Sequence, residues 1–125
     1  MNIQFWTSLT AILGALGVGA GAFGAHGLKT VLDAYSMTIY EKAVWYQFVH
    51  IGALFVVVVL TKLAILSEVW GCRSAICFLV GIILFSGSLY ALAFTQVKAL
   101  GAITPIGGTL FIAGWLCIAW GAVRS

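Results

Sequence analysis

Charged residues divide the chain into four long stretches that contain none of them. These uncharged stretches are residues 1–28, 43–61, 74–97 and 99–123. A helix needs about 20 mainly apolar residues, each rising about 1.5 Å, to cross a hydrocarbon core about 30 Å thick. The stretches are continuously apolar, whereas a lipid-facing barrel strand alternates apolar and polar side chains, so helices are favoured. The pattern predicts spanning helices at about residues 4–25, 43–61, 74–95 and 105–123.

The joints between these spans are short, and the longest covers residues 29–42. Apolar residues repeat through it at helical spacing, at Leu28, Leu32, Tyr35 and Ile39. This spacing predicts a short amphipathic helix at the membrane interface, with a solvated loop as the alternative. Because four spans leave almost no other residues, the sequence predicts one domain, residues 1–125. Its fold class is all-α, an integral membrane four-helix bundle with short loops.

Composition supports membrane residence and excludes two other classes of protein. The chain is 63% hydrophobic and only 7% charged, and its mean hydropathy is +1.16. A soluble domain carries about 25% charged residues, and a disordered chain needs low hydrophobicity and high charge. The six basic residues are scattered along the chain, so no nucleic-acid partner is predicted. The partners predicted are membrane lipids.

The two sides of the membrane receive equal numbers of basic residues, three on each side. Four spans place both termini on one side, which we call the terminal face. The terminal face carries Lys62, Arg73 and Arg124, and the opposite face carries Lys29, Lys42 and Lys98. Positively charged residues favour the cytoplasmic side, and only the N-terminal amine breaks this tie. The amine favours an orientation with both termini inside.

Glycines recur at helical spacing on the first and fourth spans. They are Gly14, Gly17, Gly21 and Gly24 on the first, and Gly107, Gly114 and Gly121 on the fourth. Helices in lipid associate through close backbone packing, which small residues permit. The spacing therefore predicts helix-packing faces within the bundle. The alternative is an exposed seam that pairs with a second copy of the chain or with another membrane protein.

The uncommon polar groups of the spans concentrate at the end of the bundle opposite the termini. They are His26 on the first span, Tyr46, Gln47 and His50 on the second, Ser86 and Ser88 on the third, and Thr104 at the start of the fourth. Polar residues at membrane depth are costly and indicate functional sites. Together they predict a pocket for a lipid or small amphiphile. The structural alternative is a hydrogen-bond network that joins Gln47, His50 and a serine.

Catalytic and metal-binding chemistry finds little support in the sequence. The carboxylates Asp33, Glu41 and Glu68 all lie in the joints, and no catalytic motif is present. Two histidines on different helices could ligate haem, but His26 lies at a helix end, where such ligands are unusual. We therefore predict a binding or assembly protein that is not an enzyme and has no cofactor or metal. The alternatives are an oligomeric small transporter or channel component, and a haem- or quinone-binding redox protein.

Four segments resemble a known family. They read GAFGAHGL at residues 21–28, AVWYQFVH at 43–50, FSGSLY at 85–90 and GAITPIGG at 101–108. In this order they are similar to the YgdD-like small membrane proteins, a family of unknown function related to the eukaryotic transmembrane protein 256. The resemblance covers nearly the whole chain and implies a four-span protein of the bacterial inner membrane. It implies no activity, substrate or catalytic residue.

Overall fold

A computed structural model of the chain describes residues 1–124. Its four long helices are α1 (Ile3–His26), α2 (Ala34–Lys62), α3 (Glu68–Thr95) and α4 (Thr104–Arg124), with a short 3-10 helix at Lys98–Ala102. There is no strand among these residues, and each of the four spans is long and apolar enough to cross a membrane. The structure thus confirms the prediction of an all-α, four-helix membrane bundle.

Each helix packs mainly against its neighbours in the chain. α1 lies along α2, α2 along α3, and α3 along α4, so α2 and α3 form the centre of the bundle. One core cluster lies toward the terminal face and includes Leu54, Val57 and Phe78. A second lies toward the opposite end and includes Tyr40 and Leu92. The outer helices α1 and α4 bury less of their surface than the central pair.

The glycines predicted on α1 all face α2. A Cβ atom added at Gly17 would lie 3.2 Å from the ring of Phe48, and one at Gly24 would meet the ring of Tyr40. Gly14 and Gly21 likewise face apolar side chains of α2. These pairs set one antiparallel register along the whole of α1. The missing side chains let the aromatic residues of α2 lie directly against the α1 backbone.

The glycines predicted on α4 face α3 in the same way. A Cβ atom at Gly114 would lie 2.6 Å from the Phe78 ring, and one at Gly107 would meet the backbone of Phe85. Gly121 faces the side chains of Leu66 and Trp70. The close approach also lets the Ser74 hydroxyl donate a hydrogen bond to the Gly114 carbonyl across 2.9 Å. All these glycine faces are therefore occupied within the chain.

The separate interfacial helix expected over residues 29–42 is absent, and this expectation was wrong. Residues 27–33 form turns, and α2 begins directly at Ala34. Asp33 is its N-cap, and its carboxylate accepts the backbone N–H of Ser36 at 2.7 Å. No proline or glycine interrupts residues 34–51, so the helix continues into the membrane span without a break.

Candidate functional site

The seven polar residues predicted to form one pocket lie in several separate places. Gln47 points toward α1 and α3, while His50 points toward α4. Ser88 and Thr104 meet between α3 and α4. His26 is exposed at the end of α1. The cluster at this end of the bundle is therefore divided among the interfaces between different helices.

Gln47 connects three helices. Its side-chain Nε2 donates to the carbonyl of Leu13 on α1 at 3.3 Å, and its Oε1 accepts the hydroxyl of Tyr90 on α3 at 2.6 Å. The Gln47 side chain is only 6% exposed. Because both ends of the amide have partners on other helices, the buried Gln47 joins α2 to α1 and α3.

His50 is on the side of α2 that faces α4, and it is only 4% exposed. Its Nδ1 is 2.8 Å from the carbonyl of Tyr46, and its Nε2 is 3.3 Å from the indole Nε1 of Trp115. A carbonyl can only accept and an indole N–H can only donate, so Nδ1 carries the hydrogen and Nε2 accepts. The ring is therefore a neutral imidazole, and it stacks on Phe111 with a centroid distance of 3.5 Å.

The serines and Thr104 form hydrogen bonds between helices. The Ser86 hydroxyl donates to the carbonyl of Ala43 on α2 at 2.8 Å. The hydroxyl oxygens of Ser88 and Thr104 lie 2.6 Å apart and connect α3 to the start of α4. The expected network of Gln47, His50 and a serine is not formed, so this expectation was wrong. Three residues along a helix leave two side chains about 60° apart around its axis, and here that angle is enough for Gln47 to reach α3 and His50 to reach α4.

The two histidines do not approach each other. In the register of α1 and α2, His26 lies level with about Ile39, roughly 16 Å along the helix from His50. Both ring nitrogens of His50 already have partners within the bundle. Over residues 1–124, no group of three or more His, Cys, Asp or Glu residues is placed to hold a metal ion. The geometry does not fit a haem held between His26 and His50.

A cavity of about 560 Å³ lies between α2 and α4, beside His50, and we call it the α2–α4 cavity. Its walls include Tyr46, His50, Phe85, Pro105, Thr109 and Trp115. Pro105, Thr109 and Trp115 are exposed, so the cavity opens sideways toward the surrounding lipid. The hydroxyl of Tyr46 has no hydrogen-bond partner in the part of the chain that the structure describes, and Tyr46 is 38% exposed.

The lining of the α2–α4 cavity determines what it can hold. Most of its walls are aromatic or aliphatic, and no charged side chain lines it. The Tyr46 hydroxyl and the Thr109 hydroxyl oxygen, which can still accept a hydrogen bond, are groups able to orient a ligand. This composition suits an apolar molecule with a small uncharged polar group, and it does not suit an ion.

Several residues that line this cavity were not predicted as site residues from the sequence. Trp115 and Phe111 contact His50, yet an aromatic residue in an apolar span gives no signal of a particular partner. Thr109 lies one turn beyond Pro105, and its hydroxyl donates to the Pro105 carbonyl at 2.9 Å. Four-residue spacing along α4 could have placed Pro105 and Thr109 on one face. Nothing in the sequence shows that this face meets His50.

The fold and its sites define a small multi-pass α-helical membrane protein. The chain belongs to the family described as protein of unknown function (DUF423), whose profile matches residues 20–108. That range contains all seven of the predicted polar residues. Neither the family description nor the names of the relatives state an enzymatic activity.

The relatives are bacterial and match over nearly their whole length. A UPF0382 membrane protein of Staphylococcus haemolyticus is 50% identical over 114 residues, which are 88% of this chain and 91% of the relative. YwdK of Bacillus subtilis, also a UPF0382 membrane protein, is 44% identical over 93% of this chain and 94% of its own. A UPF0382 membrane protein of Haemophilus influenzae is 40% identical over 96% of this chain and 94% of its own. No solved structure matches the chain.

Proposed function

We propose that the protein is a binding or assembly protein of the bacterial inner membrane, without enzymatic activity, that holds a lipid or small amphiphile in the α2–α4 cavity. Helical spans favour the inner membrane, because proteins of the bacterial outer membrane are typically β-barrels. The motif segments at residues 21–28 and 43–50 support a further assignment to the YgdD-like group, with its relation to transmembrane protein 256.

The observation that carries this proposal is the cavity itself. Its volume of about 560 Å³ falls within the range of about 300–1,000 Å³ that is usual for small-molecule sites. Aromatic walls stabilise an apolar chain or ring by burying it, and the sideways opening gives access from the bilayer. The cavity therefore favours a ligand that enters from the membrane.

The polar groups of the cavity restrict the head of this ligand. The free hydroxyl of Tyr46 can donate or accept one hydrogen bond. No charged side chain is present to stabilise an ionised group, so a net charge would be costly there. The supported ligand has an apolar tail and a small uncharged polar head.

Photo-cross-linking tests the proposal. The probe is diacylglycerol with a diazirine on one acyl chain, reconstituted with the protein in lipid vesicles, and the cross-linked residues are mapped by mass spectrometry. Gly108 lines the cavity, and a Cβ atom there meets only ordinary contacts, so Gly108→Leu places a side chain in the cavity without a backbone clash. Gly52→Leu is the matched control, because nothing lies within 4 Å of its added Cβ.

We expect cross-links concentrated around Tyr46 and around residues 105–112, lowered about fivefold by Gly108→Leu and unchanged by Gly52→Leu. A fivefold loss corresponds to about 1 kcal/mol of binding free energy, a modest effect for blocking part of an apolar site. Uniform labelling of all lipid-facing surfaces, equal in both variants, would contradict the proposal.

A further inference from the structure

Two arginines at the terminal face stack on tryptophans. The guanidinium of Arg73 lies 4.7 Å from the ring centroid of Trp70, and that of Arg124 lies 4.8 Å from the ring centroid of Trp120. Such stacking holds the long arginine side chains in place while their N–H edges stay free to donate hydrogen bonds. Two oriented guanidinium groups therefore stand at this end of the bundle.

The two tryptophans on which the arginines stack also line a second apolar cavity, which we call the arginine groove. Its volume is about 570 Å³, and it lies between the start of α3 and the end of α4. The groove is lined by Trp70, Ala113, Leu116, Cys117, Ala119 and Trp120. Because α4 runs toward the terminal face, Ala113 lies deeper in the membrane than Trp120. The groove thus extends from the arginines roughly 10 Å into the bilayer.

The antiparallel register of α3 and α4 places the two arginines toward the same end of the arginine groove. Phe78 faces Gly114, which sets Arg73, five residues earlier on α3, level with about Ala119 on α4. Arg124 is five residues further along, roughly 7 Å in the direction of the helix axis. Arginine side chains are long and flexible enough for both guanidinium groups to reach one phosphate group across a backbone offset of this size.

The charge at this end of the groove is not neutralised by the chain over residues 1–124. No carboxylate of these residues lies within salt-bridge distance of either arginine. The nearby Glu68 is instead paired with the N-terminal amine of Met1 at 2.9 Å, beside α1. Arginine forms paired hydrogen bonds with phosphate oxygens, and charged hydrogen bonds of this kind are among the stronger ones in proteins. This end of the groove is complementary to an anion.

We propose that the arginine groove binds an anionic phospholipid. Its phosphodiester lies between Arg73 and Arg124, and one acyl chain lies along Leu116 toward Ala113. The groove enters the hydrocarbon region, which an acidic peptide or a free phosphate would not follow. This site lies at the other end of the bundle from the α2–α4 cavity and does not depend on it.

Native mass spectrometry of the full chain in mild detergent tests this site. The protein is titrated with phosphatidylglycerol or phosphatidylcholine that carry the same acyl chains. The test variant combines Arg73→Gln with Arg124→Gln. The matched control combines Lys29→Gln with Lys98→Gln, which removes the same charge from the opposite face.

The wild type is expected to bind phosphatidylglycerol about tenfold more tightly than phosphatidylcholine, because two basic groups near a headgroup favour an anion. The arginine variant loses this preference, and the lysine control keeps it within about twofold. Equal binding of the two lipids by the wild type would overturn the proposal. An equal loss in both double variants would also overturn it, because overall charge would then explain the preference.

A variant that keeps both arginines tests the groove directly. Ala119 is exposed and lines the groove, so Ala119→Trp fills it, while Gly87→Trp adds the same side chain to an open position on α3. We expect Ala119→Trp to weaken phosphatidylglycerol binding about fivefold and Gly87→Trp to leave it unchanged. Unaltered binding by Ala119→Trp would contradict the placement of the acyl chain. Gly108→Leu leaves this binding unchanged, which separates the outcome from that of the α2–α4 cavity.

Discussion

The imidazole of His50 uses its ring face and both of its nitrogens inside the bundle. It donates to the carbonyl of Tyr46, accepts the indole N–H of Trp115 and stacks on Phe111. Two of these three contacts belong to α4, so this one side chain joins α2 to a helix that is not its neighbour in the chain. A buried polar group with complete partners stabilises one arrangement of helices over others.

Removing this side chain should destabilise the bundle. His50→Ala loses the stacking on Phe111 and leaves the Trp115 N–H without its acceptor. We expect the free energy of unfolding to fall by about 2–4 kcal/mol, measured by denaturant titration of the detergent-solubilised protein. Tyr46→Phe is the control, since it removes a hydroxyl without a described partner and should change the value by less than about 0.5 kcal/mol. Equal effects of the two changes would refute this role of His50.

At the scale of the elements, the helix interfaces depend on positions where no side chain fits. Gly114 and Gly107 on α4 lie against Phe78 and Phe85 of α3, and Gly17 and Gly24 on α1 lie against aromatic side chains of α2. Each interface pairs a glycine on the outer helix with a large residue on the central one. Because helices in lipid gain little from the hydrophobic effect between them, this fit supplies much of the attraction.

A methyl group at the α3–α4 interface should therefore be costly. The Cβ atom of Gly114→Ala would lie 2.6 Å from the Phe78 ring, which is itself completely buried and cannot move aside freely. We expect a loss of about 1–3 kcal/mol in the free energy of unfolding. Gly87→Ala is the matched control, because its Cβ meets nothing within 4 Å and alanine favours the helix. The idea fails if both alanine variants are equally stable.

The start of α2 should respond to acid. The hydrogen bond from the Ser36 backbone N–H lowers the pKa of the Asp33 carboxyl below its usual value. The pKa of the Asp33 carboxyl is lower in the folded than in the unfolded protein. The ionised carboxylate therefore stabilises the fold at pH values above the unfolded pKa of about 4. That contribution is lost as pH falls through the folded pKa.

Thermal unfolding between pH 7 and pH 3 measures this effect. Asp33→Asn keeps a side-chain oxygen that can cap the helix but cannot titrate in this range. We expect Tm to fall more in the wild type than in Asp33→Asn over the acid end of this interval. Asp33→Ala should lower Tm already at pH 7, because it removes the cap. Parallel pH profiles for the wild type and Asp33→Asn would show that this carboxyl contributes nothing.

At the scale of the whole molecule, the number and kind of spans could be predicted because a chain can cross the lipid bilayer in few conformations. Every backbone polar group must be paired inside the bilayer, so a long apolar stretch becomes a helix. The starting residue of α2 could not be predicted as easily. The apolar spacing from Leu28 to Ile39 suggested a separate interfacial helix, but the Asp33 cap and the absence of helix breakers extend the span.

The partners of the polar residues also escaped prediction, for a geometric reason. A sequence shows which residues share a helix face, but the rotation of that helix against its neighbours depends on all the packed side chains together. Gln47 and His50 are three residues apart, yet one reaches Tyr90 on α3 and the other reaches Trp115 on α4.

The two ends of the bundle also differ in the sites that they carry. A cavity without charged side chains lies toward one end, and a groove whose two tryptophans carry stacked arginines lies at the other.

The packing of each helix on its sequence neighbour bears on how the protein is made. When α2 leaves the ribosome, α1 is already in the bilayer, and the same holds for α3 after α2 and for α4 after α3. Each span after the first therefore finds a packing partner that is already in the bilayer. Contacts of this local kind form quickly, because the chain between them is short. The bundle can therefore assemble in the order of translation, and His50 receives Trp115 only with the last helix, as a final step that joins α4 to α2.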